Sequence, residues 1–222
     1  MKQLRIIFIL FIINWNSLNA QSSIIYKGEK INELDQNNSK SGEWKLYGEN
    51  KNILITCQMS EGNFVSNINY YKDSKLIASQ TTDDVINIYK GADTIKAKFD
   101  YREDKSTTMV DLKGNELDSE TIRYFTQAAE VMPMFYGGQQ ELINFISKNI
   151  NFKNSKGHKG KVRVKFVVNG NGEIQDIEIV DSEDTALNEE AIRIIKILPR
   201  WQPGFQRGHF VKASFTIPLV FP

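Results

Sequence analysis

The sequence has one cysteine, Cys57, and two histidines, His158 and His209. An internal disulfide is excluded, and a cysteine- or histidine-rich metal centre has too few donors. A dominant charge is lacking too: 28 Lys and Arg stand against 27 Asp and Glu in 222 residues. A nucleic-acid binder carries a strongly basic field, and this chain does not. There is no proline before Pro133; all five lie at 133, 199, 203, 218 and 222. No Pro-rich spacer therefore holds the beginning of the chain away from its end. No Ser/His/Asp set, carboxylate pair or phosphate loop has motif support, so an enzyme ranks last among the readings and no cofactor is expected.

Long apolar runs are scarce, with one exception. Lys2 and Arg5 lead into Ile6 to Ile13, and Ser17-Leu18-Asn19-Ala20 then offers a small-residue cleavage site before Gln21. As a helix, Leu4 to Trp15 would reach about 18 Å, against about 30 Å of bilayer hydrocarbon. The expectation is a cleaved signal peptide over residues 1–20 and a periplasmic mature protein. An inner-membrane anchor through residues 4–15 is the alternative. A lipoprotein needs a cysteine at the cleavage point, and none is there.

What remains is rich enough for a core, with 41% hydrophobic and 11% aromatic residues overall. Residues 21–130 carry 14 basic and 18 acidic side chains and residues 131–222 carry 12 and 9, an asymmetry too mild to name a partner. The first of these parts reads as hairpins. Trp44, Leu46 and Tyr47 precede the polar turn Glu49-Asn50-Lys51-Asn52 and then Ile53, Leu54 and Ile55. Ile68, Tyr70 and Tyr71 precede Lys72-Asp73-Ser74-Lys75 and then Leu76 and Ile77. Further turns are expected at Lys90-Gly91-Ala92-Asp93 and Lys113-Gly114-Asn115. Residues 119–131 fit either a short helix or an extended lead-in. Gly42-Glu43-Trp44-Lys45-Leu46-Tyr47 resembles the start of a MORN-like repeat, over roughly residues 40–80, with the usual turn glycine replaced by Lys51-Asn52 and Ser74-Lys75.

The second part is more legible. Gly137-Gly138 opens a helical face of Leu142, Phe145, Ile146, Asn149 and Ile150. Val162, Val164, Phe166 and Val168 alternate with Lys161, Arg163 and Lys165, which is a half-buried strand. Asn169-Gly170-Asn171-Gly172 is a hairpin turn, and Ile177 and Ile179 continue on the return strand. Ile174 is out of phase with them, which signals a bulge or a contact close to the turn. Asn188 is placed to cap a second helix, with Leu187 stapling onto Ile192, an apolar stripe of Ala191, Ile194, Ile195 and Leu198, and Pro199 as its stop. A last strand puts Val211, Ala213, Phe215, Ile217, Leu219 and Phe221 on one face. Pro218 has no N–H and keeps that strand at a sheet edge, which leaves the first strand in the middle. The fold class is α+β: a mainly β N-terminal region of hairpins, then two helices on a three-stranded antiparallel sheet.

Six stretches in order then carry a resemblance. They are Val131-Met132-Pro133 with Gly137-Gly138, Gly160-Lys161-Val162 through Val168, Asn171-Gly172-Glu173-Ile174, Glu190-Ala191-Ile192-Arg193, Leu198-Pro199-Arg200-Trp201-Gln202-Pro203-Gly204, and Ile217-Pro218-Leu219-Val220-Phe221. Over residues 131–222 the chain resembles the C-terminal domain of TonB-family proteins in their Bacteroidetes form. Tyr136 stands where that family usually has proline. The resemblance implies a protein partner: the TonB box, a short peptide of an outer-membrane transporter, gripped by the C-terminal domain. It also implies energy transduction across the periplasm, although the Pro-rich linker of the family has no counterpart here. An exposed edge strand takes up an extended peptide by main-chain pairing. The partner-binding stretch is therefore expected at His209, Phe210, Val211, Lys212, Ala213, Ser214, Phe215 and Thr216, with Phe210, Lys212, Ser214 and Thr216 projecting away from the helices. Nucleic acid, metals and small-molecule cofactors are not expected, and a homodimer stays open. The alternative is an envelope adaptor with no role in energy-coupled transport.

The exported protein should begin at or near Gln21, as read by intact-mass analysis. Recovery of chains that keep residues 1–20 in washed inner membranes would favour the anchor.

Overall fold

The computed structural model describes residues 22–102, 107–151 and 157–222. The signal expected over residues 1–20 lies outside them. Among the described residues no helix is long and apolar enough to cross a membrane.

Ten antiparallel strands come first: β1 Ser22–Tyr26, β2 Glu29–Leu34, β3 Lys40–Tyr47, β4 Ile53–Ser60, β5 Asn63–Phe64, β6 Ile68–Lys72, β7 Lys75–Gln80, β8 Ile86–Lys90, β9 Asp93–Tyr101 and β10 Thr107–Asp111. They pair in chain order, with the short β5 on β4 beside the main path. A meander of this kind needs tight turns, and a turn needs residues that accept positive φ. Where glycine is absent the chain uses Lys51 (φ 64°) and Asp73-Ser74 (φ 50° and 63°). One face is apolar at alternate positions. Trp44, Leu46, Ile55, Cys57, Ile68, Tyr70, Ala78, Ile86, Ile88 and Ala97 are all buried there.

That face is covered by α1, Ser119–Ala129. The ambiguity over residues 119–131 resolves to a helix because the Asp118 side chain accepts the Thr121 N–H at 2.8 Å and caps its start. Phe125 then meets the edge of Tyr70, ring centres 5.0 Å apart.

The second layer follows the expected order. α2 is Gln139–Asn149, β11 Gly160–Val168, β12 Ile174–Ser182, α3 Asn188–Lys196, β13 Gly204–Gln206, β14 His209–Val211 and β15 Ala213–Phe221. The three long strands lie as β12-β11-β15, with the first strand central. Val162, Val164, Phe166 and Val168 are buried under α2 and α3, and Lys161, Arg163 and Lys165 are exposed. β12 slips register against β11 twice, and Asp176 takes φ 53° within the slip near Ile177. Of the two readings of Ile174 the bulge is present, just beyond it, while Ile174 itself pairs with Val168.

Two local expectations are corrected. Asn188 does not cap α3. The chain already turns as a 3-10 helix over Thr185–Leu187, and Asp184 caps that turn by accepting the Ala186 N–H at 2.9 Å. The last strand is also not continuous from Val211. It breaks at Lys212, because β14 pairs back onto β13 while β15 pairs with β11.

Two contacts fix the layers. Glu190 is 2% exposed, accepts the Asn151 N–H at 2.7 Å and pairs with Arg193 at 2.7 Å, while Arg193 also donates to the Asn149 carbonyl. The end of α2 is thereby tied to α3 by a buried carboxylate that has its partners. Gly172 (φ 84°) ends the β11–β12 turn, where the Trp201 N–H donates to its carbonyl at 2.7 Å. A Cβ there would stand 1.9 Å from the Trp201 carbonyl oxygen, so only glycine fits. Trp201 packs on Phe135, Phe166 and Phe215.

Replacing Phe166 with alanine should lower the unfolding free energy by about 3–5 kcal/mol in urea titrations, and Phe215→Ala by less, since Phe215 is half-buried. Equal, near-zero losses at both would put the strand phase in error.

Candidate functional site

The site is built by the edge of the C-terminal sheet. Among the described residues β15 pairs only with β11, and all nine of its residues do so without a register shift, from Ala213↔Val168 to Phe221↔Gly160. The other edge, β12, has two shifts. A regular ladder is what an added strand needs, and bulges break its spacing. β15 is therefore the competent edge of this sheet.

The outward-facing backbone groups can be assigned. The Lys161 carbonyl accepts the Glu183 N–H at 3.0 Å, and the Asn169 N–H donates to the Glu173 carbonyl at 2.9 Å. Odd-numbered residues of β11 thus face β12, and even-numbered ones face β15. Their partners on β15 are odd-numbered. The groups of Ser214, Thr216, Pro218 and Val220 consequently point away from the sheet. Pro218 sits where it has no ladder bond to lose. All four side chains are exposed, and three face the basic strip directly, as the pairs Thr216↔Lys165, Pro218↔Arg163 and Val220↔Lys161. On the helix side Ala213, Phe215 and Ile217 are half-buried, as are Leu142, Phe145 and Ile146 of α2.

The eight residues expected to form one binding stretch divide into two places. Ala213, Ser214, Phe215 and Thr216 lie on β15. His209, Phe210 and Val211 lie on β14, and Lys212 joins the two. Phe210 does not project into solvent beside the edge. It packs on Trp44, Phe64 and Phe205 at ring distances of 5.1, 5.9 and 5.1 Å. His209 lines a cleft of about 220 Å³ with Asn63, Gln80 and Asp84. The outward groups of Val220 were not among the expected residues. Their signal was the even-number parity set by Pro218.

The remaining chemistry is quiet. Burial pushes the Cys57 thiol up to about 12, which keeps it protonated and unreactive. Among the described residues no three His, Cys, Asp or Glu gather as a metal site. The edge offers the hydrogen-bonding groups of its main chain.

Residues 153–222, about a third of the chain, match the family model described as Gram-negative bacterial TonB protein C-terminal. The solution NMR structure of the Helicobacter pylori TonB C-terminal domain is similar at 26% identity, over 38% of this chain and 83% of that one, with a TM-score of 0.27. No curated protein matches.

The assignment of backbone direction makes two neighbouring substitutions differ. Ser214→Pro removes an outward N–H and should leave the circular dichroism spectrum and melting temperature near wild type. Phe215→Pro removes a ladder bond to Phe166 and should lower stability by about 3 kcal/mol or more. The reverse order would invert the parity of the edge.

Proposed function

We propose that the TonB-type C-terminal domain of this chain captures an extended segment of a partner protein along the outer edge of β15. The reading places the protein in the periplasm after removal of its signal, and gives it as partner the TonB box of a TonB-dependent outer-membrane transporter. The observation that carries it is the unshifted nine-residue pairing of β15, among the described residues on one side alone. Donors at Ser214, Thr216 and Val220 and the matching carbonyls meet an incoming backbone. Each such bond contributes a net of about 0.5–1.5 kcal/mol. Several together support a modest affinity that depends little on any one side chain. The half-buried row of Ala213, Phe215 and Ile217 offers apolar contact to alternate residues of that segment. Lys161, Arg163 and Lys165 lie one strand further on across the open face.

The second reading is an envelope adaptor outside energy-coupled transport. It draws on the ten strands over residues 22–111 and on the lack of a Pro-rich spacer, since a force transducer needs a path to an anchor.

Calorimetry on the mature chain with a TonB-box peptide separates the two. The wild type should bind, and Ser214→Pro should weaken binding by about tenfold with the fold intact. A wild type that binds no such peptide favours the adaptor, and a folded Ser214→Pro variant with unchanged affinity moves the site off β15.

A further inference from the structure

The charge balance and the sequence resemblance over residues 131–222 both suggest a chain that divides near residue 130. The packing does not divide there. After α3 the chain leaves the C-terminal core and enters the N-terminal one. Phe205 is fully buried among N-terminal residues, with its ring 6.4 Å from those of Phe64 and Tyr70. Phe210 closes over Trp44 from the other strand of the same hairpin. Without β13–β14 the sheet would expose Trp44, Phe64 and Tyr70, an apolar patch of the kind soluble domains keep covered.

A polar seam surrounds this plug. Gln202 is wholly buried. Its amide accepts the Tyr47 N–H at 2.7 Å and donates to the Tyr47 carbonyl at 2.8 Å, as a neighbouring strand would. Its own main chain exchanges both bonds with Met134, and Phe205 does the same with Val131. Arg200 donates to the Asn32 carbonyl, and the Asn32 amide meets the Tyr136 hydroxyl, both at 2.5 Å. Lys40 donates to Asn171 at 2.6 Å and lies over the Phe210 ring at 4.6 Å. Burial lowers the Lys40 ammonium to about 8, as expected of a seam poor in water. At the hairpin tip, a Cβ on Gly208 would come within 2.6 Å of the Gln80 amide.

We infer that the two halves form one cooperative unit, in which the N-terminal sheet is the built-in partner of the β13–β14 hairpin and the fixed mount of the β15 edge. Buried groups on both sides have their hydrogen bonds only when the halves are together, so separating them leaves donors and acceptors unmade in each. Lys212 alone separates the plug from the edge, so a pull on β15 reaches the N-terminal core without passing through a flexible linker. The core-facing side of the N-terminal sheet is occupied as well.

Hydrogen exchange on the full mature chain tests this without any ligand. Val164→Ala lies in the C-terminal core, where Val164 pairs with Ile217 and not with any residue of the seam. It should speed the slowest amides of β11 and of β4, β6 and β7 by the same factor, on the order of tenfold. Gln202→Ala should speed both groups as well. If Val164→Ala does not fold, Val162→Ala replaces it. Faster exchange confined to residues 160–221 in the core variant would overturn the inference, as would two separate unfolding transitions in the wild type. Peptide binding plays no part in this readout, so the proposed function and this coupling stand or fall separately.

Discussion

The bond between the Gln202 side chain and the Tyr47 backbone is the constraint on which the rest is arranged. The buried backbone of Tyr47 at the end of β3 needs a donor and an acceptor, and among the described residues no strand continues there to supply them. One carboxamide supplies both. To reach Tyr47, Gln202 must be held by its own backbone against Met134, and Trp201 must turn back onto Gly172 and the second core. Trp201 and Gln202 are adjacent, yet one belongs to the C-terminal core and the other to the junction with the N-terminal sheet. Two cores are thus tied together within a single dipeptide. An unmet buried donor or acceptor costs about 1–3 kcal/mol, so neither core is indifferent to that position.

Much of this was legible because it is local. Alternation at Val162, Val164, Phe166 and Val168 gave the strand and its face. The turn at Asn169-Gly170-Asn171-Gly172 gave the hairpin. Pro218 gave the edge position of the last strand and, through it, the strand order. What was not legible is long-range. Phe210 follows the polar phase of the strand after it, so periodicity assigned it to solvent. Only the docking of β14 on Trp44 and Phe64 shows that it is core. β13 and β14 have three residues each, too few for a period to register. The cap of α3 was misplaced for a related reason. Asn188 has the right chemistry, but Asp184 starts the turn earlier and carries the chain into the helix through a 3-10 segment.

Tyr136 illustrates how such a junction can be read once it is known. It stands where the resembled family usually has proline, and a substitution at a loop looks neutral. Its hydroxyl meets Asn32 and its ring lies 5.5 Å from that of Tyr26, both in the first two strands. A departure from the pattern of one domain is thus a contact with the other.

Pro218 has a consequence beyond keeping β15 at the margin. Along the outer side, donors occur at Ser214 and Thr216, are absent at Pro218, and return once at Val220. A backbone laid alongside finds an uninterrupted run only over Ala213 to Ile217, about 17 Å of extended chain. The gap acts as a ruler. It fixes where a short extended sequence sits along the strand, and it denies a long, uniform strand the continuous pairing from which open-ended stacking would grow.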